Sequence, residues 1–272
     1  MNGTLWYWLS AGILGIIQGI TEFVPVSSSG HLLLAYKLFN IPDHGLFFDA
    51  ILHLATLVSI LIYFRKEWWQ ILTISTGKKS SSEIIFDRRV LWWLIIATIP
   101  ALLIGYFGQV FVDKFRSLLF VSILLLATGV ALWLGDSRLS HPNKSKPLTW
   151  ANAVSVGLAQ ALALIPGISR SGSTILAGMY QGWSRATAAK VSFLLAAPAV
   201  AAAGGYSLLQ AIRQNLFSGE YLFWFAAFAV TLIVSLLTIR WLLAYLEKKT
   251  LLYFGWYLIV VGVGLLVYQI VT

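Results

Sequence analysis

The sequence predicts an all-α integral membrane protein: six transmembrane helices plus two re-entrant helical hairpins in an inverted-topology repeat. Three observations carry that expectation. They are composition, the spacing of apolar runs, and an ungapped internal repeat. Apolar residues make up 59% of the 272-residue chain, where ordinary globular proteins stop at about half. Charged residues are 11%, against about 25% in soluble domains. So few polar side chains cannot cover a single soluble core of this size. The chain has no cysteine, which excludes disulfide frameworks, thiolate metal sites and cysteine nucleophiles. Its net charge is +9. In a membrane protein that excess orients loops and does not point to nucleic acid. The first residues lack the basic start of a cleavable signal, and the apolar run after them holds a Gln and a Glu. A single membrane domain over 1–272 is expected, with one repeat over about 1–135 and the other over about 150–272.

A span needs roughly 20 apolar residues. Stretches 46–64, 90–112, 117–135, 187–211, 221–246 and 252–270 qualify. Residues 5–24 are long enough, but they carry Gln18 and Glu22 and run into Pro25-Val26-Ser27-Ser28-Ser29-Gly30-His31. Only Leu32 to Phe39 is apolar after that, too short to cross. Residues 150–165 behave the same way. They contain Gln160 and meet Pro166-Gly167-Ile168-Ser169-Arg170-Ser171-Gly172-Ser173-Thr174, with a short apolar stretch up to Trp183. Helix, break, short helix describes both. The economical structure is a re-entrant hairpin, whose irregular tip is tolerated at depth only against protein or a wet cavity. The simpler alternative makes 5–24 a plain seventh span.

A shift of 142 positions lays one break on the other. Gly15 meets Gly157, Gln18 meets Gln160, Ser27 meets Ser169, Ser29 meets Ser171 and Gly30 meets Gly172. Each half is then one hairpin and three spans. A hairpin returns the chain to its starting side and three spans do not, so the halves take opposite orientations. Basic residues give direction. Fourteen Lys and Arg, including Arg65, Lys66, Lys78, Lys79, Arg88, Arg89, Arg138, Lys144, Lys146, Arg185 and Arg240, fall on one side. Four, Lys37, Lys114, Arg116 and Arg213, fall on the other. The rich side is cytoplasmic. Both termini then lie outside, and the site opens to the outer face of a bacterial plasma (inner) membrane.

Glu22 stands four residues after Gln18, on the same side of a helix. A carboxylate at membrane depth costs about 3 kcal/mol, and no packing need explains it, which points to a general base or a metal ligand. Ser27, Ser28, Ser29 and Gly30 start a helix, where free N–H groups and the positive dipole end suit an anion. His31 adds a proton carrier. Arg170 sits in the second break among Ser169, Ser171, Ser173 and Thr174. Its planar fork matches phosphate oxygens, and Gly167 and Gly172 permit close backbone approach. An Arg170–Glu22 ion pair across the breaks is the structural alternative. In the repeat Ser28 falls on Arg170, so the two can face one another across a pseudo-twofold axis, with roughly 5–8 Å between serine oxygen and guanidinium carbon if one phosphate links them. Asp49 and His53 read as a local polar contact, with a place behind the site as the alternative. His44 and His141 read as loop residues. Gly15-x-x-x-Gly19 and Gly157-x-x-x-Ala161 read as small-residue helix contacts.

Gln18-x-x-x-Glu22 with Pro25 to His31, and Pro166 to Thr174, resemble the two signature motifs of the undecaprenyl-diphosphate phosphatases, also called bacitracin-resistance proteins. The similarity runs over nearly the whole chain in length, order and hydropathy. The resemblance implies removal of the terminal phosphate from undecaprenyl diphosphate, giving the monophosphate carrier for cell-wall synthesis. It implies Glu22, Ser28, His31 and Arg170 as catalytic residues, with Ser28 the proposed nucleophile, while the residues themselves leave a serine and a histidine nucleophile both open. It also implies a divalent cation, Mg²⁺ or Ca²⁺, for which Glu22 and Gln18 are the candidate ligands. That family carries Glu or Gln at the position of Gln18, and the neutral residue here shifts weight onto Glu22. Ser27, Ser29, Gly30, Ser169, Ser171, Gly172, Ser173 and Thr174 would bind the diphosphate. Ser29-Gly30-His31 is also similar to a fragment of the type 2 phosphatidic acid phosphatases. Those need a second histidine after a Ser-Arg pair, and none follows within twenty residues of Arg170 or Arg185. Expected partners are the polyprenyl diphosphate, its tail in apolar grooves open to the outer leaflet, and membrane lipid. No nucleic acid is expected, and a homodimer is left open. The rival class is a secondary transporter or lipid flippase with an anion site at the midplane.

The topology is checked by labelling. A cysteine placed within 65–89 should be protected from an impermeant thiol reagent in intact cells, and one at residue 3 should be labelled. The reverse pattern would invert the orientation.

Overall fold

The computed structural model describes residues 3–42, 44–73, 88–108, 115, 117–139, 148–213 and 221–271. The expectations placed on Lys78, Lys79, Lys114, Arg116, His141, Lys144 and Lys146 lie outside the described residues. Every regular element among them is a helix. In chain order these are α1 Gly3–Thr21, α2 Ser28–Leu38, α3 Gly45–Tyr63, α4 Arg65–Thr73, α5 Arg88–Phe107 and α6 Leu118–Leu139. There follow α7 Trp150–Leu162, α8 Arg170–Tyr180, α9 Arg185–Arg213, α10 Tyr221–Leu246 and α11 Leu252–Val271.

Helices α5, α6, α9, α10 and α11 are long and apolar enough to cross a membrane, and α3 with α4 adds a sixth if the bent pair counts as one span. The expected spans 117–135, 187–211, 221–246 and 252–270 correspond to α6, α9, α10 and α11. Of the stretch 90–112, the described part is α5, which runs to Phe107; residues 109–112 lie outside the described residues. The basic segment after Tyr63, which follows the expected span 46–64, opens with a helix rather than a loop. α4 turns 71° away from α3. It buries Ile71 and leaves Trp69 exposed, a surface helix with one apolar stripe. Its Glu67 pairs with Lys190 of α9 at 2.8 Å. Nearby in the fold, Arg185 at the start of α9 grips the buried Asp136 of α6 through Nε and Nη2. These pairs tie α4 and the end of α6 to the start of α9 at one basic end of the molecule.

The two breaks have local causes. Helix α1 closes with the Glu22 N–H donating to Gln18 O at 3.0 Å. Pro25 then excludes helical geometry from the residue before it. Ser27 takes φ +71°, a strained value for a residue with a Cβ, and its Oγ accepts from the Gly30 N–H at 3.4 Å to start α2. The second break repeats the device. Pro166 stops α7, Gly167 takes φ +102°, and Ser169 Oγ accepts from the Gly172 N–H at 3.1 Å to start α8. A Cβ on Gly167 would lie 2.8 Å from Leu124 Cβ, so both conformation and space require glycine. α2 and α8 each have 11 residues, about 16 Å of rise, half a bilayer's hydrocarbon.

Small residues set how close the helices lie. A Cβ on Gly15 or Gly19 of α1 would press on Ala227 O, Val230 and Val234 of α10 at 2.8–3.0 Å. A Cβ on Gly157 of α7 would come within 2.5 Å of Ala97 O on α5. The first helix of each broken segment therefore packs backbone-close against a long helix from the other half of the chain, as the two small-residue motifs suggested. Gly129 of α6 and Gly255 of α11 make a similar seam. Large apolar side chains such as Ile99, Leu103, Ile233, Leu237 and Val260 point outward, the surface expected against lipid.

Overpacking tests this arrangement. Gly157→Val should destabilise the protein by about 1–3 kcal/mol, read as a lower unfolding midpoint in detergent. Gly205→Ala, where an added Cβ meets nothing within 4 Å, should not lower it.

Candidate active site at the two breaks

The breaks meet on one carboxylate. Glu22 is almost fully buried, its side chain 4% exposed. Arg170 Nη2, from the first turn of α8, donates to Glu22 Oε1 at 2.9 Å. Ser28 Oγ, from the first turn of α2, donates to Glu22 Oε2 at 2.7 Å. Gln18 Nε2 donates to the same oxygen at 3.0 Å from one turn earlier in α1. His53 Nδ1 of α3 lies 3.3 Å from Glu22 Oε2 and 3.0 Å from Gln18 Nε2. Ser28 and Arg170 thus stand on the two oxygens of a single carboxylate. That is well inside the roughly 12 Å at which one diphosphate loses contact with both. The ion pair envisaged as the structural alternative is present, and it lies in the middle of the candidate site.

The remaining polar residues divide by what they hold. Ser27 and Ser169 cap their helices. Ser171 Oγ donates to Val24 O at 3.2 Å and joins the second break to the first. Thr174 Oγ1 donates to Arg170 O at 2.8 Å and lies 2.6 Å from Ser192 Oγ. These hydroxyls shape the breaks. Gly172 lies close under Pro25, where a Cβ would approach Pro25 Cβ to 3.4 Å. Gly30 is buried against Leu125. Ser29 is exposed, and Ser28, Ser173 and Arg170 are half-buried, so these side chains remain accessible to a ligand. The first turns of α2 and α8 add backbone N–H groups that suit an anion. Arg170 Nη1 is buried without a hydrogen-bond partner, an unusual state for a guanidinium and one that an anion would relieve.

His31 is held on both nitrogens. Nδ1 donates to Ser27 O at 2.8 Å, because a carbonyl only accepts. Nε2 shares a hydrogen bond of 2.8 Å with the Tyr257 hydroxyl of α11, and the two rings stack at 5.6 Å. Its partners are therefore Ser27 and Tyr257, while Glu22 reaches Ser28.

A divalent cation can be tested against these groups. No set of three His, Cys, Asp or Glu side chains among the described residues could hold a metal, which argues against a closed protein cage. Gln18 must turn its amide nitrogen to the carboxylate, and its Oε1 is left buried without a partner. Of the two side chains, that oxygen is the one unclaimed donor, since both Glu22 oxygens already accept from Arg170, Ser28 and Gln18. A hard cation would therefore take Gln18 Oε1 and Glu22 only after the Gln18 amide turns, with its other ligands from phosphate and water.

For His53 the structure takes the alternative named above, a place behind the site: it faces Glu22, while Asp49 Oδ1 accepts from the Tyr36 hydroxyl at 2.8 Å. The signal for His53 was its depth, since a histidine in the middle of a span needs a polar partner from another helix. Tyr257 is the site residue that the sequence reading did not contain. Tyr257 carried no signal beyond an aromatic in an apolar run.

The family model described as bacitracin resistance protein BacA matches residues 11–264. A protein of Colwellia psychrerythraea named undecaprenyl-diphosphatase is 39% identical, covering 93% of this chain and 96% of its own. One of the same name from Pelotomaculum thermopropionicum is 37% identical over 94% of each chain. Another from Mycolicibacterium smegmatis is 38% identical over 95% of each.

The shared carboxylate makes a coupled prediction. Glu22→Ala leaves Arg170 without its counter-charge and should destabilise the protein by about 3–5 kcal/mol. Adding Arg170→Met to the same chain should restore part of the lost unfolding midpoint. Strictly additive losses would mean the two side chains do not depend on each other.

Proposed function

The chain belongs to the bacitracin resistance protein BacA family, and on that premise we propose that it hydrolyses undecaprenyl diphosphate to the monophosphate and phosphate, returning the lipid carrier to cell-wall synthesis. The observation that carries the reading is the meeting of Ser28 and Arg170 on Glu22. It puts a hydroxyl nucleophile, a base and a phosphate-binding fork in one place.

The residues divide the work as follows. Arg170 offers its unpartnered Nη1 to the terminal phosphate, and the N–H groups starting α2 and α8 hold the remaining oxygens. Ser28 Oγ attacks phosphorus and gives its proton to Glu22 Oε2, to which it already donates. The bond from phosphorus to the bridging oxygen breaks, and the electron pair leaves on polyprenyl phosphate. His31, with the Tyr257 hydroxyl, balances charge at the departing oxygen. Water then attacks the phosphorus of the phosphoserine, and the bond from phosphorus to Ser28 Oγ breaks with its electron pair left on that oxygen. Glu22 returns its proton to Ser28 Oγ, and the proton of the water leaves with inorganic phosphate. Glu22 and Gln18 Oε1 would hold Mg²⁺ or Ca²⁺, which would neutralise phosphate charge.

In this reading the broken segments are re-entrant hairpins of an inverted-topology repeat, both termini lie outside the inner membrane, and the site opens outward. Support comes from the starts of α2 and α8, which stand 142 residues apart with the same serine cap. The contacts of α1 with α10 and of α7 with α5 exchange halves in the same sense. The excess of basic residues on one set of loops gives the direction.

Purified protein should release phosphate from undecaprenyl diphosphate, and EDTA should abolish the release. No release under any divalent metal would favour a transporter or flippase with an anion site. Arg170→Lys keeps the charge and loses the fork, and should lower turnover at least about a hundredfold. Near-normal turnover would reduce Arg170 to a structural ion pair.

A further inference from the structure

Helix α6 is a common floor under α2 and α11. Gly30 of α2 rests on it, where a Cβ would come 3.2 Å from Leu125 Cδ2. Gly255 of α11 rests on it as well, where a Cβ would come 2.9 Å from Gly129 O. His31 follows the first glycine, and Tyr257 stands two residues after the second. The two side chains therefore meet above α6, with His31 Nε2 2.8 Å from the Tyr257 hydroxyl and the rings 17° from parallel. A phenol in an apolar helix needs a polar partner, and His31 supplies it.

The contact has a consequence for His31, because both of its nitrogens are now taken. Nδ1 carries a proton, since Ser27 O can only accept. Nε2 faces the phenol. An imidazole has no third polar atom, so His31 as placed has no nitrogen free for a phosphate oxygen. Resting on the phosphatase reading above, we propose that Tyr257 is the catalytic residue at the departing oxygen and that His31 acts through it.

A phenol suits this task because it both donates and accepts. Beside a neutral His31 its O–H points at Nε2. The negative charge of a bound diphosphate favours the imidazolium. Nε2–H then donates to the phenol oxygen, and the phenol O–H turns away from the ring, to the oxygen that bridges the two phosphorus atoms. As the bond from phosphorus to that oxygen breaks, the phenol proton goes to the departing polyprenyl phosphate and the Nε2 proton goes to the phenol oxygen. The monoester returns a proton by the same path as it ionises, so His31 and Tyr257 end as they began. Position agrees with this role. His31 stands three residues after Ser28 on α2, one turn along the same face. In-line displacement puts the departing oxygen on the far side of phosphorus from Ser28 Oγ. Tyr257 is 46% exposed, so its side chain is open to a ligand.

Tyr257→Phe keeps the stacked ring and removes the hydroxyl. It should lower kcat for undecaprenyl diphosphate at least about tenfold, as expected on loss of a proton donor, with KM little changed. In an analogue with sulfur for the bridging oxygen, the leaving group departs without help from a hydrogen bond, and there the loss should largely disappear. Added to His31→Gln, Tyr257→Phe should cost nothing further. Unchanged turnover of the natural substrate, an equal loss on both substrates, or a loss that adds to that of His31→Gln overturns the proposal and leaves the phosphatase reading standing. No phosphate release by the unsubstituted protein from either compound sinks that reading, and the proposal with it. The ¹⁵N spectrum of the histidines, of which the chain has four, gives a readout independent of turnover. At alkaline pH His31 should carry its proton on Nδ1 and show an Nε2 signal that moves in Tyr257→Phe. A proton on Nε2, or a signal that does not move, overturns the proposal whatever the turnover results.

Discussion

A carboxylate held out of water is the constraint on which the rest of this structure depends. Glu22 sits at the end of α1, inside a chain whose long helices are built for hydrocarbon. A buried charge persists only when paired and fully hydrogen-bonded. Its neighbours come from four elements. Arg170 starts α8, Ser28 starts α2, Gln18 belongs to α1, and His53 lies midway along α3. Taking away the carboxylate removes the reason for the two breaks to converge. The bond from Ser171 to Val24 O is a second link, but a neutral one, and so a weaker one.

Close packing of backbone makes this convergence possible. Small residues on the first helix of each broken segment, Gly15 and Gly19 on α1 and Gly157 on α7, seat it backbone-close against a helix of the other half. Such seats replace the hydrophobic driving force that is missing between helices in lipid. They also set the depth at which each segment stops and exposes its next N–H groups. The serine caps then convert each stop into a helix start aimed at the common site.

Much of this could be read from the residues. Two prolines, two serine caps and a matched spacing placed both breaks, and Glu22, Ser28 and Arg170 stood out because polar groups at depth are expensive. The long helices followed from hydropathy alone. What escaped was decided by tertiary contact. Helix periodicity puts His53 near Asp49 and leaves open a place behind the site, and it takes a contact with another helix to choose Glu22 as its partner. Tyr257 is polar only at its tip, so its bond to His31 left no trace in an apolar run. The helix α4 was hidden by the basic residues around it, which fit a loop as well as they fit a surface helix.

The central claim is that Glu22 brings Ser28 and Arg170 together so that one terminal phosphate bridges them. The most direct measurement is a structure with a polyprenyl diphosphate analogue whose bridging oxygen is replaced by methylene, so that it cannot be cleaved. The account predicts the terminal phosphonate within hydrogen-bond reach of both Ser28 Oγ and the Arg170 guanidinium. A phosphonate held by residues of one break alone, with Ser28 still turned to Glu22, would contradict it.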